Sequence, residues 1–226
     1  MGTKRALLGM RDGSAGEDDV DDLTRLARDE QTMRRCFTLA AQSARDGGYP
    51  FAAIVTKKGR TIVEATNRVS QDRDVMRHAE AVALTEAQRT LACISLDDCT
   101  LYANVEPCAL CSYAIREARI ARVVYGLSSP IMGGHSRWNI LDDEVLSSRM
   151  REVFAPPPEI VADFLSDEAA VAFRRAAPAA WAYVRSRRCF GCGDDPARER
   201  RPRRHGAAEK VMRLQVFDRF GRGGAR

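Results

Sequence analysis

The chain has no run approaching the roughly 18 consecutive apolar residues that a membrane-spanning helix requires. Its N-terminal Leu7-Leu8 patch, behind Lys4 and Arg5, is too short for the apolar core of a secretory signal. Neither membrane insertion nor export is expected, and the sequence points to a cytoplasmic protein. No internal repeat is apparent. Seven cysteines are an odd number for a chain without an export signal, which makes a disulfide framework a poor reading and metal or catalytic use a better one. What is present is ordinary for a globular protein: 226 residues, 45% hydrophobic and 30% charged, enough for one substantial domain with extra segments.

The net charge of +5 is unevenly placed. Residues 185–226 carry thirteen Lys and Arg against five Asp and Glu, residues 1–30 carry five against eight, and the middle has eighteen of each. The basic character therefore belongs to the tail and the core is neutral. Residues 1–22, with the acidic run Glu17, Asp18, Asp19, Asp21, Asp22, read as a flexible leader. Residues 188–226, rich in Gly, Arg and Pro and without periodicity, read as a largely disordered basic appendage. Cys189 and Cys192 have zinc-like spacing, but with His205 as the only later histidine an independent zinc finger there is not expected.

Between these ends, residues 23–187 read as one domain. Leu26, Met33, Phe37, Ala40 and Ala41 recur at helical spacing before the Gly47-Gly48 stop. Phe51–Thr56 and Thr61–Thr66 form a predicted hairpin, Arg77–Ala92 a helix, Thr100–Val105 a buried strand, Cys108–Arg119 a helix entered through Pro107, and Ala121–Leu127 another strand. Glu159–Val161 is a candidate edge strand, and Ser166–Arg187 reads as helical with Ser166 as N-cap and a kink or split at Pro178. The order αββαβαβ, with short connections, argues for an α/β sheet with helices on both faces.

The chemistry rests on His78, Glu80, Cys108 and Cys111. Cys108 and Cys111 are three apart at a helix start, where one face carries both thiols and the helix dipole favours thiolate. An imidazole and two thiolates form a ligand set for zinc, and three protein ligands leave a fourth tetrahedral position for water. Glu80, two residues from His78, need not be a ligand and is placed to take the proton of an activated water. Hydrolytic attack on an electrophilic carbon is the implied reaction. A closed structural site would need a fourth ligand such as Cys93 or Cys99 and would leave Glu80 without a role.

His78-Ala79-Glu80 followed by Pro107-Cys108-Ala109-Leu110-Cys111 resembles the zinc-dependent cytidine and deoxycytidylate deaminase superfamily. Pro50-Phe51-Ala52-Ala53-Ile54-Val55, Asn67, Thr100-Leu101-Tyr102 before Glu106-Pro107-Cys108, and Ala118 to Gly126 are similar to its guanine deaminase and tRNA adenosine deaminase branch, over about residues 31–187. The resemblance implies a three-layer α/β/α cytidine deaminase-like fold, with a central mixed sheet of about five strands. It also implies one zinc ion per chain on His78, Cys108 and Cys111, Glu80 as proton shuttle, Asn67 and the Ala79 backbone N–H reading the edge of the target base, and a homodimer. Asn67 also fits a turn closing a strand, and Phe51 fits either the core or a base-stacking wall.

A neutral core is poorly furnished for phosphate contacts. The chain also departs from the tRNA deaminase pattern at Asn104 and at Ile131-Met132-Gly133-Gly134-His135-Ser136-Arg137-Trp138. The expected activity is therefore hydrolytic deamination of a nucleobase or nucleoside, guanine-like or another aminated purine first. Wobble-position adenosine deamination in tRNA is the alternative, with the basic tail as its support.

Overall fold

The computed structural model describes residues 17–191. Its elements run α1 (Glu17–Arg45), β1 (Ala52–Lys57), β2 (Arg60–Thr66), α2 (Val69–Asp72), α3 (Ala79–Leu91), β3 (Cys99–Val105), α4 (Ala109–Glu117), β4 (Arg122–Leu127), α5 (Glu144–Arg149), β5 (Glu159–Val161), α6 (Ser166–Ala176) and α7 (Pro178–Ser186). One sheet has the order β2-β1-β3-β4-β5; β1 is antiparallel to β2 and β3, while β3, β4 and β5 are mutually parallel. The mixed five-stranded sheet and its two helical layers match the expected architecture.

Alternation along the strands builds both layers. Leu101 and Val123 turn to the face covered by α3 and α4, with Val82, Leu84 and Ile115. Their neighbours Tyr102 and Val124 turn to the other face, with Met33 and Phe37 of α1 and Phe173 of α6. The β1–β2 hairpin closes through Lys58 and Gly59, both at positive φ (49° and 74°), the conformation that a tight two-residue turn demands.

Across the second face, Asp29 of α1 is buried and accepts hydrogen bonds from Tyr102 Oη and from both terminal nitrogens of the Arg122 guanidinium, at 3.0 and 2.7 Å. Burial and the neighbouring Asp29 carboxylate push the Tyr102 phenol above its ordinary range. On the first face, the buried guanidinium of Arg116 donates to the carbonyls of Ile140, Leu141, Asp143 and Ala155 at 2.8 to 3.1 Å and to Ser147 Oγ. It staples the excursion between β4 and β5 to α4. Burial lowers the pKa of Arg116, and its Nε has no partner among the described residues.

Several boundaries differ from the sequence reading. The first helix begins at Glu17, not near Leu23. Residues 1–16 of the expected leader lie outside the described residues. The N-cap of α6 is Leu165, in the left-handed region, and Ser166 is already helical. The helix splits at Pro178 as anticipated, which starts α7. The expected tail boundary at residue 188 is too early: Phe190 is buried against the α6 side of the core, and the Gly191 amide donates to the Ser128 carbonyl at 2.9 Å. Residues 192–226, including Cys192 and His205, lie outside the described residues.

The strand register gathers the functional segments. Ala52 pairs with Thr66 and Ala53 with Ala103, while Val105 pairs with Leu127. Phe51, Asn67, Glu106 and Ser128 therefore all sit just beyond one edge of the sheet.

Candidate metal centre and base pocket

At that edge His78 and Cys108 occupy equivalent positions, each the extended N-cap residue of a helix, with ψ of 151° and 172°. Neither side chain caps its helix, which leaves the imidazole and the thiol facing each other. Cys111 follows in the first turn of α4 and is fully buried.

Both sulfur atoms lie 3.5 Å from His78 Nδ1, and the three donor atoms all fall within 4.8 Å of one another. Zinc bonds of about 2.3 Å to sulfur and about 2.0–2.1 Å to nitrogen give a tetrahedral N···S edge of about 3.5 Å, so the cluster fits that ion. Among the described residues this is the single His/Cys/Asp/Glu group of three or more that meets the spacing. Cys93 and Cys99 stand apart from it: Cys93 donates to the Ser95 carbonyl and Cys99 lies beside Asp98. Among the described residues no fourth His or Cys joins the cluster.

The electrostatics agree with a ligand set. A hydrogen bond from Cys111, reinforced by the His78 imidazole, holds the Cys108 thiol down at about 4, and the same pairing pushes Cys111 above its usual range. The hydrogen bond to Cys108 raises His78. A divalent cation that binds here displaces the proton the two sulfurs share and takes both as thiolate ligands. Glu80, in the first turn of α3, sits 3.6 Å from Cys111 Sγ. Burial pushes its carboxyl up to about 7, with the nearby Cys108 charge adding to the shift.

A cavity of about 390 Å³ opens beside these groups. Asn67, Phe51, His78 and Glu80 are among the residues that line it. The Asn67 Oδ1 accepts from the Val69 amide in a turn closing β2, and its buried side chain also lines the cavity. Its backbone amide donates to the Phe51 carbonyl at 3.0 Å, which ties two walls together. Phe51 is likewise both core and wall, half-buried with its ring edge-on to Phe173 at 6.0 Å. Ala79 is the first residue of α3, where backbone N–H groups lack intrahelical acceptors.

The sequence reading missed the remaining wall. Met132 and Ser129 come from the loop after β4, and Phe173, Tyr183, Val184 and Phe190 come from α6, α7 and the segment beyond. Phe173 was visible only as a helical apolar position, and Phe190 was hidden by the polar composition around it. Asn104, flagged as unusual, grips the Phe51 segment from below: its Oδ1 accepts from the Ala52 amide and its Nδ2 donates to the Pro50 carbonyl, both at 2.9 Å.

These features recur in known proteins. Over 121 residues the chain is 37% identical to a tRNA-specific adenosine deaminase of Aquifex aeolicus (strain VF5), covering 53% of this chain and 80% of that one. Over 97 residues it is 40% identical to a guanine deaminase of Bacillus subtilis (strain 168), covering 42% and 62%. Among solved structures, a deaminase that edits A34 at the tRNA wobble position superposes with a TM-score of 0.56 at 26% identity, over 62% of this chain and 96% of that chain. A guanine deaminase from Nitrosomonas europaea gives 0.51 at 25% identity, over 64% and 81%. Residues 26–127, which contain the whole His78, Glu80, Cys108, Cys111 constellation, match the model of the cytidine and deoxycytidylate deaminase zinc-binding region, and with the 37% identity over most of a curated relative this places the chain in that family of deaminases.

Proposed function

We propose that this deaminase acts on a small aminated purine base, guanine-like in shape, converting its C–NH2 to C=O with release of ammonia. The observation that carries this reading is the composition of the cavity wall. Aromatic and apolar side chains from α6, α7 and Phe190 line it, and no Lys or Arg is among its described lining residues. A flat heterocycle suits such a wall, whereas a phosphate would find no cation there.

In this proposal His78, Cys108 and Cys111 hold one zinc ion, which when bound supplies the Lewis acidity that makes water nucleophilic near neutral pH. Glu80 carries the proton: its carboxylate accepts one from the attacking water and delivers it to the departing amine as the C–O bond forms and the C–N bond breaks. A buried carboxyl with a pKa near the working pH suits both halves of that task. Asn67 and the Ala79 N–H fix the ring edge, and Phe51 packs against its face. The chain acts as a cytoplasmic homodimer; the exposed apolar residues Leu110 and Tyr113 on α4, with Ile131 and Trp138 nearby in sequence on the following loop, support the association.

The second reading, deamination of an adenosine in tRNA, is favoured by the coverage of 96% of the wobble-editing deaminase. Ammonia release measured on guanine, other aminated purines, nucleosides and tRNA at two salt concentrations separates the two. Salt-sensitive turnover of tRNA with no turnover of any base or nucleoside would replace the first reading with the second.

A further inference from the structure

The loop between β4 and α5 has no regular structure through Pro130–Trp138, yet it supplies Met132 to the cavity wall and packs on the start of α4. One side chain organises it. The Glu106 carboxylate, buried between β3 and α4, accepts hydrogen bonds from the backbone amides of Ser129, His135 and Ser136 and from the Ser136 hydroxyl, at 2.5 to 3.0 Å. The loop wraps around those two oxygens so closely that a Cβ on Gly133 would overlap the carboxylate, which is why glycine stands there. Gly133 in turn forms an antiparallel bridge with Cys108, and the Gly134 amide donates to the Pro107 carbonyl at 2.8 Å. The ring of His135 adds a second anchor between Tyr125 Oη at 2.7 Å and Asp142 at 3.0 Å.

We infer that Glu106 is a positioning residue for substrate: by binding the 129–136 loop as a fixed anion in a ring of donors, it sets the distance between the Met132 wall and the Cys108 end of the site. Among the described residues four donors converge on the carboxylate, so its bonds are charge-assisted and mutually dependent. An amide in its place would present an NH2 group to at least one backbone N–H, a donor facing a donor. The inference rests on the base-pocket reading for the identity of the substrate, but not for the order of the loop.

The test is Glu106→Gln in the full chain. The zinc content should stay at the wild-type level and kcat should change by less than about threefold, while KM for the deaminated base rises about tenfold, the size of effect that losing one hydrogen bond to a charged group produces. Hydrogen exchange supplies a readout that needs no substrate. The amides of Ser129, His135 and Ser136 should exchange at least about tenfold faster, while the β3 and β4 amides keep their protection. Should Glu106→Gln fail to fold, Ser136→Ala removes one donor and Gly133→Ala forces a methyl group against the carboxylate; both should raise KM and loop exchange, the first by less. Unchanged KM and exchange, loss of zinc with unchanged KM in the loaded fraction, or a uniform loss of protection across the sheet would each overturn the inference. Wild-type protein that turns over no base would defeat the substrate reading while leaving the exchange result to stand on its own.

Discussion

The ring of Phe190 meets that of Phe173 edge-to-face, 5.3 Å between centroids, and Trp181 completes the group at 5.8 Å from Phe173. A residue expected in a disordered tail thus forms part of the wall facing Glu80 and Asn67. Truncation after Arg188 should therefore impair turnover of a free base, whereas truncation after Gly191 should not. Phe190→Ala should raise KM by about tenfold, equivalent to ~1.4 kcal/mol of lost binding. Steady-state kinetics on the three proteins check this, and equal KM values would place Phe190 outside the substrate's reach.

Metal content gives the second prediction. The purified protein should hold about one zinc ion per chain, as three protein ligands on one cluster imply. Cys108→Ala should lose the ion and with it much of the order at the start of α3 and α4. Plasma emission spectrometry measures the stoichiometry directly, and stoichiometric zinc in a Cys108→Ala, Cys111→Ala double variant would dismiss the site.

Glu80 separates chemistry from metal binding. Glu80→Gln should keep both zinc and fold, because it removes a proton carrier and relieves a buried carboxyl while leaving all three donors in place. Deamination should fall by roughly 100-fold to 10,000-fold, the range for loss of general acid-base catalysis. A variant that releases ammonia at the wild-type rate, or that loses its zinc, would contradict the assigned role.

The Asp29–Arg122 pair predicts stability without function. Its side chains are only 5% and 12% exposed, and the same carboxylate also holds Tyr102 Oη. Asp29→Ala strips both terminal nitrogens of the Arg122 guanidinium of their carboxylate and leaves it only the half-exposed Glu159 at its Nε, a loss of up to about 3–5 kcal/mol by comparison with broken buried pairs. Urea denaturation should show a loss of that order, with kcat of the folded fraction preserved. A change below about 1 kcal/mol would mean that solvent reaches Arg122 readily.

What the sequence made legible was local. His78 with Glu80, and Cys108 with Cys111, are close in sequence at helix starts, which marked them as candidates, and the resemblance to zinc-dependent deaminases joined the two pairs in one donor set. The sheet was equally readable, because β1, β3 and β4 are short apolar runs bounded by turns. Contacts set by tertiary partners were hidden. The anchoring role of Glu106 depends on amides 23 to 30 residues away, and Phe190 is buried only because α6 and α7 present Phe173 and Trp181 to it. The early start of α1 was misread because the run from Glu17 to Asp22 has no apolar periodicity and looks like a solvated acidic leader.

Arg116 fastens the stretch from Ile140 to Ala155 through carbonyl oxygens and a serine hydroxyl, none of which takes up a proton between neutral and strongly acidic solution. The ion pairs of the surface, such as Arg35 with Glu64 and Arg68 with Asp72, hold their carboxyls below the ordinary range and release as acid protonates them. Acid therefore loosens the rim of the molecule while the excursion beside α4 keeps its hold on the helix that carries Cys111.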